Sequence, residues 1–405
     1  MSNGGSNGRS GVTRPRRLLL CLDGVPHKLI EEARHRGLFD AFGPPTRLLS
    51  PFPTMTNVAL SAMLGATPPA GYESLYFDRE AGELRGGIKK YIGRRTPDKI
   101  PSSYMDDLDY QEPLPFEFLI YVAPEKVWRA DMQRFRERFR TAPQTRDYFA
   151  FLKATDGLLH SQGPARLAIA LESLDKILSE IREYCGSETE IVMFSDHGMN
   201  LDDNRRVPLK SSLERRGFKV TIPAFGLCSY AAVYCGQDVI PEVACERVEV
   251  AGVDFAVYKD GEEAVVENDR GQARIACRGE EFRYTAVSGD PIELGGLHHG
   301  FKTDREHGFK TDKRWFEVTA GHRYPDAVGN VYKSVFTPRV KHTADVLLSI
   351  KDGFYYGWSP FGRFVRLHAT HGNAMQASSN AFLMSTHRQF PPFVRADDAR
   401  ALLRG

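Results

Sequence analysis

Four short apolar runs, each closed by a polar group able to bind a metal or attack an electrophile, constrain this chain most: Arg17–Leu22, Thr46–Pro51, Tyr148–Ala154 and Glu190–Ser195. Continuous apolar runs of this length suit strands of a parallel sheet buried on both faces. Between the third and fourth, Leu167, Leu171, Leu174, Leu178 and Ile181 recur at the spacing of one helix face, and Gly186 is a stop signal. Strand, helix, strand is the crossover unit of a parallel sheet, and ligands bind such sheets beyond the carboxyl ends of the strands. The expected fold class is therefore α/β, doubly wound, with a mostly parallel central sheet. The residues immediately after each run are the ones to read for chemistry.

Length and composition narrow the setting. The 405 residues allow two or three domains or one large body with insertions. Hydrophobic residues at 41% and charged residues at 26% exclude a disordered or collagen-like chain. A net charge of +2 provides no global field to draw in a nucleic-acid polymer or an acidic membrane. The apolar run after the basic Arg14–Arg17 stretch is too short for a signal peptide or a bilayer span, so a cytoplasmic location and no membrane partner are expected. Cys21, Cys185, Cys228, Cys235, Cys245 and Cys277 form no CxxC pair and read as small core residues rather than zinc thiolates. Oligomeric state leaves no signal.

Along the chain, the Gly/Ser/Asn-rich residues 1–16 are expected to be a disordered tail, and 17–390 a single domain, because residues 23, 56, 156, 196 and 371 must meet in one site. The Pro-, Gly- and charge-rich stretch 78–146, which contains Trp128–Arg140, reads as a helical insertion or cap. Alternation over Val253–Val287 reads as an antiparallel meander, a small β subdomain spanning 250–290. HGFKTD occurs at 299–304 and again at 307–312; two copies are too few for a solenoid and read as an extended loop.

The chemistry-bearing residues come in order: Asp23 after the first run, Thr56 and Asn57 after the second, Asp156 and His160 after the third, Asp196 and His197 after the fourth. His371, in HATHGN, comes after a fifth apolar run, Phe364–Leu367. Imidazole nitrogen and carboxylate oxygen are zinc-type ligands, and three Asp with three His suffice for two ions. Singly, each has an ordinary reading: a turn or cap aspartate, an i,i+4 surface pair, a hydrogen-bonded loop histidine. Their joint placement at strand ends favours metal binding. Thr56 precedes a helix-compatible run, Val58–Leu64, that stops at Gly65, so its ordinary role is an N-cap. The same place puts its hydroxyl in the positive end of the helix dipole, beside N–H groups that hold phosphate oxygens, where a metal ion would make it a nucleophile.

Taken together, Asp23, PTMTN with Thr56, DxxxH with the adjoining Gly163-Pro164, SDHG and THG resemble the alkaline phosphatase superfamily, in its nucleotide pyrophosphatase/phosphodiesterase-like branch. The resemblance runs from about Arg17 to about Ser385 and includes Gly289-Asp290-Pro291 and Tyr324–Ala327. It implies an alkaline-phosphatase-like fold, two divalent metal ions, commonly zinc, and a phosphothreonine intermediate on Thr56. By motif match, Asp156, His160 and His371 would hold one ion, and Asp23, Thr56, Asp196 and His197 the other. Aspartate and histidine also suit manganese. One departure concerns an Asn that the branch places three residues after the nucleophile as a phosphate contact; here that position is Ala59, and Asn57 is the residue able to take the contact. The nucleophile is a Thr without the C/S-x-P-x-R signature, which argues against formylglycine sulfatase chemistry.

Two divalent ions would bring four positive charges, against four negative ones from Asp23, Asp156, Asp196 and a Thr56 alkoxide. A nearly neutral site suits a diester or pyrophosphate; a monoester dianion would want a further cation. The available candidates, Arg129–Arg140 and the His298/His299/His307 loop, read as a solvated helix face and a loop. The expectation is a metal-dependent hydrolase of phosphodiester or pyrophosphate bonds in a small phosphorylated substrate. A phosphomonoesterase or a phosphonate (C–P) hydrolase on the same site is the alternative, and a non-catalytic phospho-ligand binding protein is the reading of another class.

Overall fold

The computed structural model describes residues 16–87, 103–106, 108–109, 119–143, 145–248, 250–300, 308–357 and 366–404. The tail expected at 1–16 therefore lies outside the described residues except for Arg16, and so does most of the first HGFKTD copy.

The chain opens on β1 (Arg17–Leu22), α1 (His27–His35), β2 (Thr46–Leu49) and α2 (Thr56–Leu64). A hairpin of β3 (Leu75–Asp78) and β4 (Glu83–Gly86) precedes α3 (Leu119–Val122) and α4 (Pro124–Thr141). The crossover unit comes next as β5 (Tyr148–Leu152), α5 (Ala154–Gln162), α6 (Pro164–Cys185) and β6 (Glu190–Phe194). Then come β7 (Arg205–Arg206), α7 (Leu209–Arg215), β8 (Leu227–Cys228), β9 (Tyr230–Val233) and α8 (Ile240–Val248). The meander is β10 (Val253–Asp260), β11 (Glu263–Asn268), β12 (Gly271–Arg278) and β13 (Glu281–Gly289), joined by β14 (Lys310–Thr311). The remainder is α9 (Asp312–Thr319), α10 (Ala327–Phe336), β15 (Val346–Ile350), β16 (Phe354–Gly357), α11 (Gln376–Ser379), β17 (Asn380–Ser385), β18 (Phe393–Arg395) and α12 (Ala396–Arg404).

The central sheet has the order β18-β2-β17-β6-β1-β5, and every strand runs in one direction except β17, which is antiparallel to both its neighbours. Leu18, Leu20 and Leu22 pack towards α1, α4 and α6, while Leu19 and Cys21 pack towards α2 and α12. Burial on both faces is why the sequence shows a continuous apolar run instead of alternation. The basic stretch forms α4, whose Met132, Phe135 and Phe139 enter the core beneath the sheet. Its outer side pairs charges, Arg136 with Glu180 at 2.9 Å among them.

A second sheet, β14-β13-β12-β11-β10-β15-β9, is antiparallel throughout. Trp315, Val328 and Val331 cover one face, and Leu209, Leu213, Val243 and Ala244 the other. The meander is thus wider than its alternating sequence: β9 and β15 complete it from 230–233 and 346–350, apolar runs buried on both faces that do not alternate. In the second HGFKTD copy, Lys310–Thr311 pairs with β13, and Thr311 Oγ1 accepts from Arg314 N at 3.2 Å as the cap of α9. That copy is a strand and a helix start, not an extended loop. All six cysteines are free thiols, and no described helix is long and apolar enough to cross a membrane.

Candidate metal and nucleophile site

Because β1, β2, β5 and β6 point the same way, their carboxyl ends share one edge. Asp23 comes directly after β1, Asp196 and His197 come after β6, and Asp156 and His160 lie on α5, which begins two residues after β5. His371 arrives by another route than the one expected. Residues 358–365, where half of the fifth run falls, are outside the described residues, and no strand occurs between 366 and 379. Its loop instead leads through α11 into β17, whose first residue sits at this edge because β17 runs backwards. Thr56 also differs from expectation: Met55 occupies the cap position of α2, and Thr56 is the first helical residue. Its Oγ1 is 3.3 Å from Asp23 Oδ1 and 3.2 Å from His197 Nε2.

Two groups of ligand-type atoms result, Asp156 with His160 and His371, and Asp23 with Asp196 and His197, all of them buried. In the first, His160 Nε2 and His371 Nε2 stand 3.2 and 3.6 Å from Asp156 Oδ1. In the second, His197 Nε2 stands 3.6 Å from Asp23 Oδ1 and 3.4 Å from Asp196 Oδ2. Four ligands held about 2.0–2.2 Å from a tetrahedral zinc are about 3.3–3.6 Å from one another, so these spacings fit an ion in each group. The His197 and His371 rings stack at 3.8 Å and join the two groups.

The surrounding hydrogen bonds fit the same role. His160 Nδ1 bonds Ala369 O at 2.7 Å, His371 Nδ1 bonds Thr54 O at 2.7 Å, and His197 Nδ1 bonds Gly198 O at 3.0 Å. A carbonyl can only accept, so each Nδ1 carries a proton and each Nε2 is the ring atom turned towards the site, the one a metal would take. Asp156 Oδ1, His160 Nε2 and Asp196 Oδ2 are buried without a hydrogen bond. Burial raises the Asp23 carboxyl well above the usual range, and the Asp196 and Asp156 charges add to this while Lys153 opposes it. Burial likewise holds the His371 imidazole well below its ordinary value, with His197 adding to it. At Asp156 burial pushes upward, but His160, His371 and His197 outweigh it and hold the carboxyl down. Buried carboxylates this close repel, and divalent cations among them would relieve both that repulsion and the orphaned atoms.

The backbone is built to bring these groups together. Gly24 adopts φ +68 directly after Asp23, and its N–H donates to Asp196 Oδ1 at 3.0 Å. A Cβ there would stand 3.0 Å from Asp156 Oδ1 and 3.2 Å from His197 Cε1, inside the site itself. Thr155 Oγ1 donates to Asp23 O at 2.6 Å, and Ser50 Oγ donates to Asp196 O. Asn373 ties the His371 loop to the second sheet by donating to Ile350 O at 2.7 Å.

Asn57 is half-buried in the first turn of α2, next to Thr56, whereas Ala59 is fully buried in the apolar cluster between α2 and the sheet. Several neighbours carried no sequence signal. Tyr104 Oη donates to Asn57 Oδ1 at 2.6 Å, Tyr121 packs its ring 5.2 Å from that of His160, and Lys153 acts on Asp23. Tyr104 and Tyr121 stand outside any run or motif, and Lys153 is the one charged residue inside the third apolar run, where nothing in the sequence ties it to Asp23.

Residues 76–289 match the family model of type I phosphodiesterase/nucleotide pyrophosphatase. That interval holds Asp156, His160, Asp196 and His197; Asp23, Thr56 and His371 lie outside it. No curated protein matches the chain. Among solved structures, phosphonoacetate hydrolase from Sinorhizobium meliloti 1021 in complex with phosphonoformate matches at 15% identity and TM-score 0.52, covering 98% of this chain and 97% of that one. The same protein in complex with phosphonoacetate gives 15% and 0.50, with the same coverage. Murine ectonucleotide pyrophosphatase/phosphodiesterase 5 gives 13% identity and 0.47, covering 96% and 93%. The hydrolase likeness is one of fold and places the chain among alkaline-phosphatase-like structures.

Proposed function

The chain belongs to the type I phosphodiesterase/nucleotide pyrophosphatase family, a family of phosphoric ester hydrolases, and on that premise we propose that it cleaves phosphodiester or pyrophosphate bonds through a phosphothreonine on Thr56. Two divalent metal ions, zinc or manganese, would be held by Asp156, His160 and His371 and by Asp23, Thr56, Asp196 and His197. The observation that carries the reading is the Thr56 hydroxyl itself, set at the N-terminal end of α2 within 3.3 Å of Asp23 and 3.2 Å of His197. A single domain over 17–390, with the 78–146 insertion and the 250–290 subdomain set into it, belongs to the same proposal.

Bound ions supply Lewis-acid polarisation of the phosphoryl oxygens and lower the pKa of a hydroxyl or water beside them. The chain's own residues do the rest. Asp23 and His197 fix the direction of Thr56 Oγ1. Attack forms the Oγ1–P bond and breaks the bond from phosphorus to the leaving oxygen, which takes up a proton. Water then attacks phosphorus, breaks the P–Oγ1 bond and restores the threonine, so that one water is consumed and configuration at phosphorus is retained. N–H groups in the first turn of α2 and the Asn57 amide receive the charge on the phosphoryl oxygens.

Turnover of bis-p-nitrophenyl phosphate should exceed that of p-nitrophenyl phosphate and of phosphonoacetate. T56A should lower kcat by about a thousandfold or more, as expected when a nucleophile is removed. A clear preference for the monoester or the phosphonate would move the reading to phosphomonoester or C–P bond hydrolysis, which the fold likeness to phosphonoacetate hydrolase favours as the second choice. Unchanged turnover by T56A would remove Thr56 from the chemistry.

A further inference from the structure

Tyr104 lies in a short turn, Tyr104–Asp106, laid against α2. Its ring is buried among Ala59, Leu60 and Met63 of α2 and Phe149 and Phe151 of β5. Just beyond it, Asp109 N donates to Phe149 O at 2.7 Å, and the Asp109 carboxylate accepts from Tyr148 Oη at 2.7 Å. The turn is therefore pinned between the outer strand of the central sheet and the helix that carries the nucleophile. From this anchored position the phenol donates to Asn57 Oδ1 at 2.6 Å.

A carboxamide has an accepting end and a donating end, and rotation about its last side-chain torsion exchanges them. A phosphoryl group beside the N-terminus of α2 needs donors. Were Asn57 to turn its oxygen towards the anion, two lone-pair groups would face each other. The phenol can donate or accept whereas a phosphoryl oxygen only accepts, so phenol, amide and anion are satisfied together when Oδ1 faces Tyr104, as here, and Nδ2 remains for the substrate side. Donation to Oδ1 also polarises the amide and strengthens its N–H groups as donors. We propose that Tyr104 is a positioning residue that locks the Asn57 amide in the donor orientation for a phosphoryl oxygen. This rests on the assignment of Asn57 as a phosphate contact in the proposed function.

Loss of one charge-stabilising donor costs about 10²–10³ in kcat, and loss of its orientation alone costs a part of that, about tenfold. The test uses the metal-loaded full chain as wild type, Y104F, N57A and the Y104F/N57A double variant, with bis-p-nitrophenyl phosphate as substrate and inorganic phosphate as a competitive probe. Y104F keeps the buried ring and removes only the hydroxyl. The expected result is a roughly tenfold fall in kcat for Y104F with KM changed little, weaker inhibition by phosphate, and an unchanged melting temperature and metal content. N57A falls further, and the double variant is no worse than N57A, because the phenol then has nothing to orient. Losses that multiply in the double variant would make Tyr104 a packing residue and overturn the proposal. A normal Y104F beside an impaired N57A would overturn it while leaving the Asn57 assignment in place. A normal N57A would overturn both, yet leave Thr56 chemistry standing as long as T56A is inactive.

Discussion

At the scale of single residues, burial decides the behaviour of a carboxyl more than its sequence neighbours do. Asp254 on β10 is buried, its Oδ1 accepting from Tyr324 Oη at 2.9 Å and its Oδ2 without a hydrogen bond. Burial raises its pKa to about 6 against the opposing effects of Tyr324, Arg323, Arg270 and Lys351. A pKa raised in the folded state means that folding takes up a proton, so the contribution to stability is whole below about pH 4 and is lost as pH rises through about 6. A shift of roughly two units bounds that loss at about 3 kcal/mol. D254N keeps the acceptor for Tyr324 without the charge. It should flatten the melting temperature between pH 4 and 7 and raise it at pH 7.5, and calorimetric profiles with the same slope as wild type would refute the buried-charge account. Such an aspartate cannot be told from Asp23 or Asp196 in a sequence by type alone. What made the latter two legible was the apolar run directly before each. Tyr104 lacked any such marker, since it reaches the site from a position that only the packed fold brings close.

Elements show a second limit, which is one of direction. Reading strands from continuous apolar runs, and ligands from the residues at their carboxyl ends, located β1, β2, β5 and β6, because parallel strands deliver those ends to one edge. The run NAFLMS of β17 is of the same apolar kind, but β17 runs backwards between β2 and β6. Its contribution, His371, comes before the strand, where the rule does not look. Within α5 the critical position is Gly157, between the two ligand residues Asp156 and His160. There α3 crosses so closely that a Cβ would overlap the Ile120 carbonyl oxygen and stand 2.8 Å from Ile120 Cβ. Alanine is the better helix former by about 1 kcal/mol, but overlap with backbone outweighs it and costs about 1–3 kcal/mol net. G157A should thus melt at lower temperature and retain less bound metal on the Asp156 side, read by elemental analysis. A more stable G157A with full metal content would show that α3 yields without disturbing α5.

For the whole molecule, the question is what holds an α/β body and a seven-stranded antiparallel sheet to one geometry. Arg395, at the end of β18, bonds both Asp312 at the start of α9 and Asp326 at the head of α10 with distances of 2.7–2.9 Å, which fastens the far side. At the near side the link is the site itself. Its candidate ligands begin at Asp23 and end at His371, and they come from five separate places: the end of β1, α2, α5, the end of β6 and the loop tied to β15 through Asn373. Ions bound there would cross-link segments hundreds of residues apart, and their removal would leave buried carboxylates and imidazoles facing one another with nothing between them. An ion present at a thousand times its dissociation constant stabilises the fold by about 4 kcal/mol. Dialysis against a chelator should therefore lower the melting temperature by several degrees and abolish turnover, and zinc or manganese should restore both. T56A separates the two effects. It leaves Asp23, Asp196 and His197 in place, so it should keep most of the metal-dependent rise in melting temperature while remaining inactive. A chelated wild type that melts at its original temperature would mean that the two clusters are held by the protein alone, and that the links between the two sheets do not depend on metal.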